Sequence, residues 1–407
     1  MFSNHPKRVM HISGAALLTK SGYSQQFLME VTALRKSGYD VYVLVLCYPA
    51  LFREISSIRA LRKEYEDRGL NIYILPSLFF SRMIMELLYY PVIWLFLSFF
   101  ILVKGIRCFH CHNEDLGFTL LIFKAFRSLK LFIDMHGVSV EEKIYRKSVK
   151  EGSISHRYAN MKEKAAFRFA DVTFCVSEKM ISYYMEKHHL PKNRFALTRS
   201  TFDPDIFREF SWDMKKDAKR KLDLQSKHVV LYMGHKKLWQ RTDDVIHLYV
   251  VLKKQISDLF IVILTDDIEG IEKAFKRSGV PEHDFLVRHV PHEEVPLYSY
   301  AADIAIVIRD DSIVNRVASP VKVSESLASG AALLGTDTVG DLPSLIEKYG
   351  IGFVIKEGLE SNLVSFLEVL FADEKRSRRM AEQCRSIAEK EFSVWNTVKV
   401  FGKYYGA

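Results

Sequence analysis

Short, almost wholly apolar runs alternate along the chain with longer stretches whose apolar positions recur every three to four residues. The runs are "RVMHIS", "DVYVLVL", "NIYILP", "IRCFHCH", "KLFIDMHG" and "DVTFCVS", then "HVVLYMG", "LFIVILTDD", "DFLVRHV", "ADIAIVI" and "GAALLGT". Between them lie helical patterns such as "QQFLMEVTALRKSG" and "TDDVIHLYVVLKKQ". Continuous apolar strands alternating with helices predict parallel sheets covered on both faces. Eleven such runs exceed one ordinary open sheet, so an α/β chain with two doubly wound domains is expected. The polar, turn-forming stretch "RSTFDPDIFREFSWDMKK" marks the boundary, giving domains 1–206 and 207–390. No internal repeat or low-complexity linker interrupts the pattern.

Composition agrees with this picture. The chain has 407 residues, 48% of them hydrophobic and 26% charged, which suits two or three packed domains rather than disorder. The opening "MFSNHPKRVMHIS" has no apolar stretch ending in a small-residue cleavage site, so no secretory signal is expected. Five scattered cysteines fit a reducing compartment, and a cytoplasmic protein is predicted.

One motif suggests other chemistry. "CFHCH", residues 108–112, has the spacing that attaches a c-type haem and could be half of a zinc site. Haem attachment needs export, and zinc needs about four ligands. The remaining cysteines, Cys47, Cys175 and Cys384, stand singly in apolar or helical contexts. In a strand, Cys108 and Cys111 point to opposite faces. They are expected to be small buried residues, with no metal and no cofactor, and His112 at the strand's end is the residue of interest.

Ligands of doubly wound domains bind beyond the carboxyl ends of the strands, which directs attention to those ends. Gly14 closes the first strand and Gly22 opens a helix eight residues later, a loose glycine loop suited to an anion or sugar hydroxyl. It is not GxGxxG, so a tightly held dinucleotide is not expected. In "FIDMHG", Asp134 lies within the strand while His136 and Gly137 lie at its mouth, where a histidine can donate to developing charge. In "NRVASPVKVSESLASGAALLGT", Ser319 is the expected N-cap, Pro320 the first-turn residue and Gly330 the terminator. That helix start, with Lys322 adjacent, suits a diphosphate. Glu325, one to two turns in, can reach paired ribose hydroxyls.

On "SGAALLTKSGYSQQ", "HCHNED", "IDMHG", "ADVTFCVSE", "STFDPDIF", "LYMGHKKLWQ", "YAADIAIVI" and "NRVASPVKVSESLASGAALLG", the chain resembles the GT-B glycosyltransferases, and within them family 4. The likeness runs over nearly the whole length. It implies two Rossmann-like domains and a terminal helix, residues 391–407, packing back on the first. It also implies a retaining enzyme that moves a sugar from a nucleotide-diphosphate donor of UDP or GDP type, without metal or cofactor. The acceptor would be lipid-linked or a polysaccharide, as in bacterial capsule or O-antigen synthesis. By the same resemblance His136 is the catalytic histidine near the transferred sugar. Glu325 holds the donor ribose, with Ser319, Val321, Lys322 and Gly234 as further donor contacts. Gly14, Gly22 and His112 form the acceptor or phosphate loop. Two positions depart from the family. The second donor-sugar Glu is Val317 here, leaving Asn315 or Arg316 to substitute. The usual arginine after Gly234 is His235, leaving Lys236, Lys237 or Arg241.

From Leu87 to Val103, 17 uncharged residues stand at the lower limit of a membrane span, interrupted by Pro91. A core helix with an exposed oily face is expected. Net charge is +9, and residues 141–170 carry eight Lys or Arg against four Glu. That balance suits peripheral contact with an anionic membrane on its inner face. Nucleic acid is a poor match, because the aromatics sit inside apolar runs. Two alternatives share the fold: a nucleotide-sugar epimerase, and a catalytically silent nucleotide-binding relative.

Overall fold

The computed structural model describes residues 7–14, 17, 22–47, 55–76, 83–126, 129–234, 241–356 and 360–406. It forms two compact units, Met1–Arg199 with Val394–Ala407, and Ser200–Ser393. In the first, seven parallel strands run β1 (Arg8–Gly14), β2 (Asp40–Cys47), β3 (Asn71–Pro76), β4 (Cys108–Cys111), β5 (Lys130–Met135), β6 (Val172–Cys175) and β7 (Phe195–Leu197). Their order across the sheet is β3-β2-β1-β4-β5-β6-β7. In the second, β8 (His228–Met233), β9 (Leu259–Leu264), β10 (Phe285–Arg288), β11 (Ile304–Val307), β12 (Ala332–Thr336) and β13 (Gly352–Ile355) are ordered β10-β9-β8-β11-β12-β13. Two parallel-sheet α/β domains are the GT-B architecture expected above.

The two strands without a counterpart in the sequence reading are β7 and β13. Both are edge strands of three and four residues, too short to carry a period. The divisions also fall a few residues from the expected ones. Phe202 bridges Ser393 as a parallel pair, and Phe202 and Phe207 pack into the second core. The segment after Arg199 therefore belongs to the second unit.

The last helix, Val394–Tyr405, returns to the first unit. Val394, Val398, Phe401 and Tyr405 repeat at four, three and four residues, so they share one face. All four are buried in the first core with Phe27, Val31 and Leu34 of the helix Gly22–Lys36. Burying each such side chain stabilises by roughly 1.5–3 kcal/mol. Ser393, extended at φ −75° and ψ 133°, breaks the preceding helix and lets the chain turn back.

The oily helix spans Met83–Leu102 with Pro91 inside it. Ile93, Leu97, Phe100 and Ile101 are buried, while Leu95 is 77% exposed and Leu102 61%. Among the described residues no helix is long and apolar enough to cross a membrane.

Candidate active site

Each sheet reverses its strand order at one place, and the crevice at that point is where such folds bind ligands. In the second unit it lies between β8 and β11. Gly234 follows β8 and donates its N–H to the Leu264 carbonyl at 3.0 Å. The helix Val321–Ala328 follows β11. Its N-cap is Pro320, at φ −66° and ψ 129°, and no side chain caps it. Ser319 is therefore not the cap: Pro320 takes the extended cap conformation itself, and the helix starts one residue later than expected. Lys322 donates to the Met233 carbonyl and lies 5.3 Å from the Tyr232 ring centre. That contact pins the helix start to the mouth of β8.

Glu325, 8% exposed, accepts from Nε2 of His292 at 2.9 Å. His292 sits in the 3₁₀ turn His292–Glu294 that follows β10. Burial opposes its charge, but the bond to Glu325 and the carboxylates of Glu325, Asp203 and Glu293 outweigh it and raise its pKa. The two form a hydrogen-bonded pair that favours the charged form of His292, with Glu325 on the helix whose start is uncapped.

The other second-unit candidates divide. Asn315 is wholly buried. Its amide donates to the Asp310 carbonyl at 3.1 Å and to the Asp310 carboxylate, and its Oδ1 accepts from Arg309 at 3.2 Å. Its own carbonyl accepts from Gly340 at 3.0 Å. Asn315 thus braces the turn at Asp310 against Arg309 and Gly340. Arg316 is held bidentate by Asp311 at 2.5 and 2.6 Å on the surface. Val317 is buried. Val321 opens the helix Val321–Ala328, and Arg241 precedes the helix Thr242–Gln255 and pairs with Asp244. His235, Lys236 and Lys237 lie outside the described residues.

In the first unit the reversal lies between β1 and β4. Gly14 closes β1, and Gly22 opens an exposed helix start with no atom near a Cβ. His112 donates its N–H to the Ile12 carbonyl at 2.9 Å. Register places His11 of β1 opposite His110 of β4, and their rings stack at 4.5 Å. Around them hydrogen bonds run in one direction. His110 Nε2 donates to Asp134 Oδ2 at 3.1 Å, so its neutral Nδ1 accepts from the Tyr405 hydroxyl at 2.5 Å. That hydroxyl accepts from His11 Nε2 at 3.4 Å. His11 Nδ1 accepts from His112 Nε2 at 3.1 Å, which leaves the lone pair of His112 Nδ1 facing His136 Nε2 at 3.2 Å. Burial holds the imidazoles neutral, taking His110 down to about 3 and lowering His11, His112 and His136. Tyr23 stands edge-on to His136 at 5.2 Å. His136 is therefore a neutral histidine at the mouth of β5, oriented by His112.

Comparison with known proteins identifies the chain. The sequence pattern of Glycosyltransferase Family 4 matches residues 21–205, and that of Glycosyl transferases group 1 matches residues 214–387. The chain is a GT-B glycosyltransferase. Among solved structures, the glycosyltransferase is similar to one from Rickettsia africae at TM-score 0.71 and 12% identity, over 98% of both chains. It is similar to HepE of Anabaena, solved with UDP, at TM-score 0.68 and 12% identity over 98% of both chains. It is also similar to WaaG, a glycosyltransferase involved in lipopolysaccharide biosynthesis, at TM-score 0.66 and 14% identity over 97% of this chain and 99% of that one. No curated protein sequence matches it.

Three residues bonded to these candidates escaped the sequence reading: His292, His11 and Tyr405. His292 ends a segment already read as a strand, "DFLVRHV" and its exit, so applying the strand-end rule there would have found it. Tyr405 sits on an amphipathic helix at a position a periodicity argument assigns to packing.

Proposed function

We propose that this glycosyltransferase is a retaining family 4 enzyme using a nucleotide-diphosphate sugar of UDP or GDP type. The His292–Glu325 pair carries the reading: a carboxylate at the second switch point, within a turn or two of an uncapped helix start. The two Glu325 oxygens suit the paired ribose hydroxyls. The helix beginning at Val321, with Lys322 beside it, suits the diphosphate. Solved complexes of HepE with UDP-glucose support the choice of donor class.

In sugar transfer the anomeric carbon gains positive character and the departing phosphate gains negative charge. Helix amides and nearby cations stabilise the latter. His136 serves the reacting sugar as a neutral hydrogen-bonding group. The acceptor is lipid-linked or a polysaccharide of a bacterial surface polymer. Leu95 and Leu102, with Lys104 and Arg107 just beyond, offer an oily and basic face for peripheral contact with an anionic bilayer. One observation favours a second reading. With Val317 buried, no acid stands at the family's donor-sugar position, as in a silent nucleotide-binding relative.

The test is a thermal-shift screen of nucleotide sugars, followed by turnover of the best binder with and without lipid-linked acceptor. Acceptor-dependent product with the donor's anomeric configuration is expected. A sugar epimerised without acceptor, or binding without turnover, would contradict the proposal.

A further inference from the structure

At the amino ends of the second sheet lies a cavity of about 270 Å³ that the sugar-transfer reading does not use. Small-molecule sites run from roughly 300 to 1,000 Å³, so this one suits a small ligand rather than a nucleotide sugar. Trp212, Lys215 and Lys219 line it from one face of the helix Trp212–Lys221. Lys227 and His228, where the chain enters β8, and Phe371 also line it. The His228 and Phe371 rings stack at 3.8 Å, within 6° of parallel.

The charges around this cavity do not balance. Asp303, just before β11, is 3.2 Å from Lys215 Nζ and accepts from Lys219 Nζ at 2.6 Å. Burial opposes its charge, but the two ammonium groups outweigh it and take its pKa down to about 2. Asp284 is likewise shared, by Lys253 at 2.8 Å and Lys227 at 3.7 Å. Four ammonium groups on two carboxylates leave two positive charges over. Glu374 and Asp373 at the rim are already matched, by Lys216 at 2.5 Å and Arg376 at 3.4 Å. Asp258, 3.3 Å from His228, is half exposed, where water and salt screen it. The Lys215 and Lys219 side chains are only 3% and 14% exposed. Each spends two of its three N–H groups on protein oxygens: Lys215 on Asp303 and the Ala302 carbonyl, Lys219 on Asp303 and the Lys227 carbonyl.

We propose that this cavity binds a small phosphate monoester, its phosphoryl group on Lys215, Lys219 and Lys227 and its ring against Trp212 and the His228–Phe371 stack. A phosphoryl dianion matches both surplus charges, where a carboxylate would match one. Flat rings pack favourably on aromatic side chains, and the Trp212 indole is fixed by donating to Glu374 at 2.7 Å. Asp303 also accepts from the Val229 N–H and donates its own to the Val229 carbonyl, both at 2.8 Å. An occupied site therefore braces the starts of β8 and β11. Gly234 and Glu325 lie beyond the other ends of those strands, so the proposal stands apart from the identity of the sugar donor.

The test uses the full-length chain and phenyl phosphate, with inorganic phosphate and phenol as the two halves of that probe. Calorimetry, tryptophan fluorescence and melting temperature are read at low salt. Phenyl phosphate should bind, quench part of the fluorescence and raise the melting temperature. Inorganic phosphate should bind at least about threefold more weakly, and phenol should not bind measurably. Trp212→Phe keeps an aromatic wall, so it should lose the quench and retain the calorimetric signal. Lys227→Gln leaves Asp284 its shorter pair with Lys253, so the fold is kept, and affinity should fall at least about threefold. Glu325→Gln should bind phenyl phosphate as the parent does. Absence of binding, equal binding of phenol or inorganic phosphate, a quench that survives Trp212→Phe, or unchanged affinity in Lys227→Gln would overturn the proposal. Weakening by Glu325→Gln instead would place the phosphate in the donor crevice and overturn it too.

Discussion

His292 Nε2 stands 2.9 Å from Glu325 Oε1, tying the turn after β10 to the helix Val321–Ala328. The raised pKa of His292 means the folded protein favours its protonated form. The groups responsible are Glu325, Asp203 and Glu293. The stabilisation is fully present below the ordinary histidine value near 6.5 and is lost as pH rises through the raised one. His292→Gln should therefore lower the melting temperature at about pH 6 and have less effect at about pH 9. Melting curves of both proteins across that range check this, and an equal effect at both ends would refute it.

Tyr405 joins the returning helix to His110 and His11. Tyr405→Phe keeps the ring but leaves two buried imidazole nitrogens unpaired, at a cost of about 1–3 kcal/mol. Denaturant unfolding should show that loss, while nucleotide affinity in the second unit should not change. An unaltered midpoint would mean the hydroxyl is not part of the network.

Cys108 and Cys111 are buried strand residues without a disulfide. Burial pushes the Cys108 thiol up to about 12 and Cys111 higher still. Neither should react with a thiol reagent in the native state. The double Cys→Ser variant should cost packing stability, about 1–3 kcal/mol per buried hydroxyl left unpaired, and leave metal content unchanged. Loss of stoichiometric zinc or iron in that variant would restore the cysteines as ligands.

Alternation of apolar runs and amphipathic stretches was enough to show two doubly wound domains. Parallel strands buried on both faces leave a signal that needs no partner to read. The short edge strands β7 and β13 leave none. The positions of Gly14, His112, His136 and Gly234 at or just beyond strand ends were legible from the apolar runs they close, and such folds bind ligands at strand ends. The bonds of Asn315 to the Asp310 turn and Arg309 are contacts no spacing rule discloses. Val317 is simply part of the core. The approach of Glu30, a buried carboxylate on the helix Gly22–Lys36, to within 4.8 Å of Asp134, more than a hundred residues away, is visible only in three dimensions.

The most direct measurement is calorimetric titration of UDP and GDP into the parent and Glu325→Gln. Glutamine can still accept from His292 but lacks the charge, so the fold should be retained. A charge-assisted hydrogen bond contributes roughly 1.5–3 kcal/mol, so affinity for the preferred nucleotide should fall by about one to two orders of magnitude. Equal affinity in the two proteins, with the variant folded, would contradict the placement of the donor ribose on Glu325.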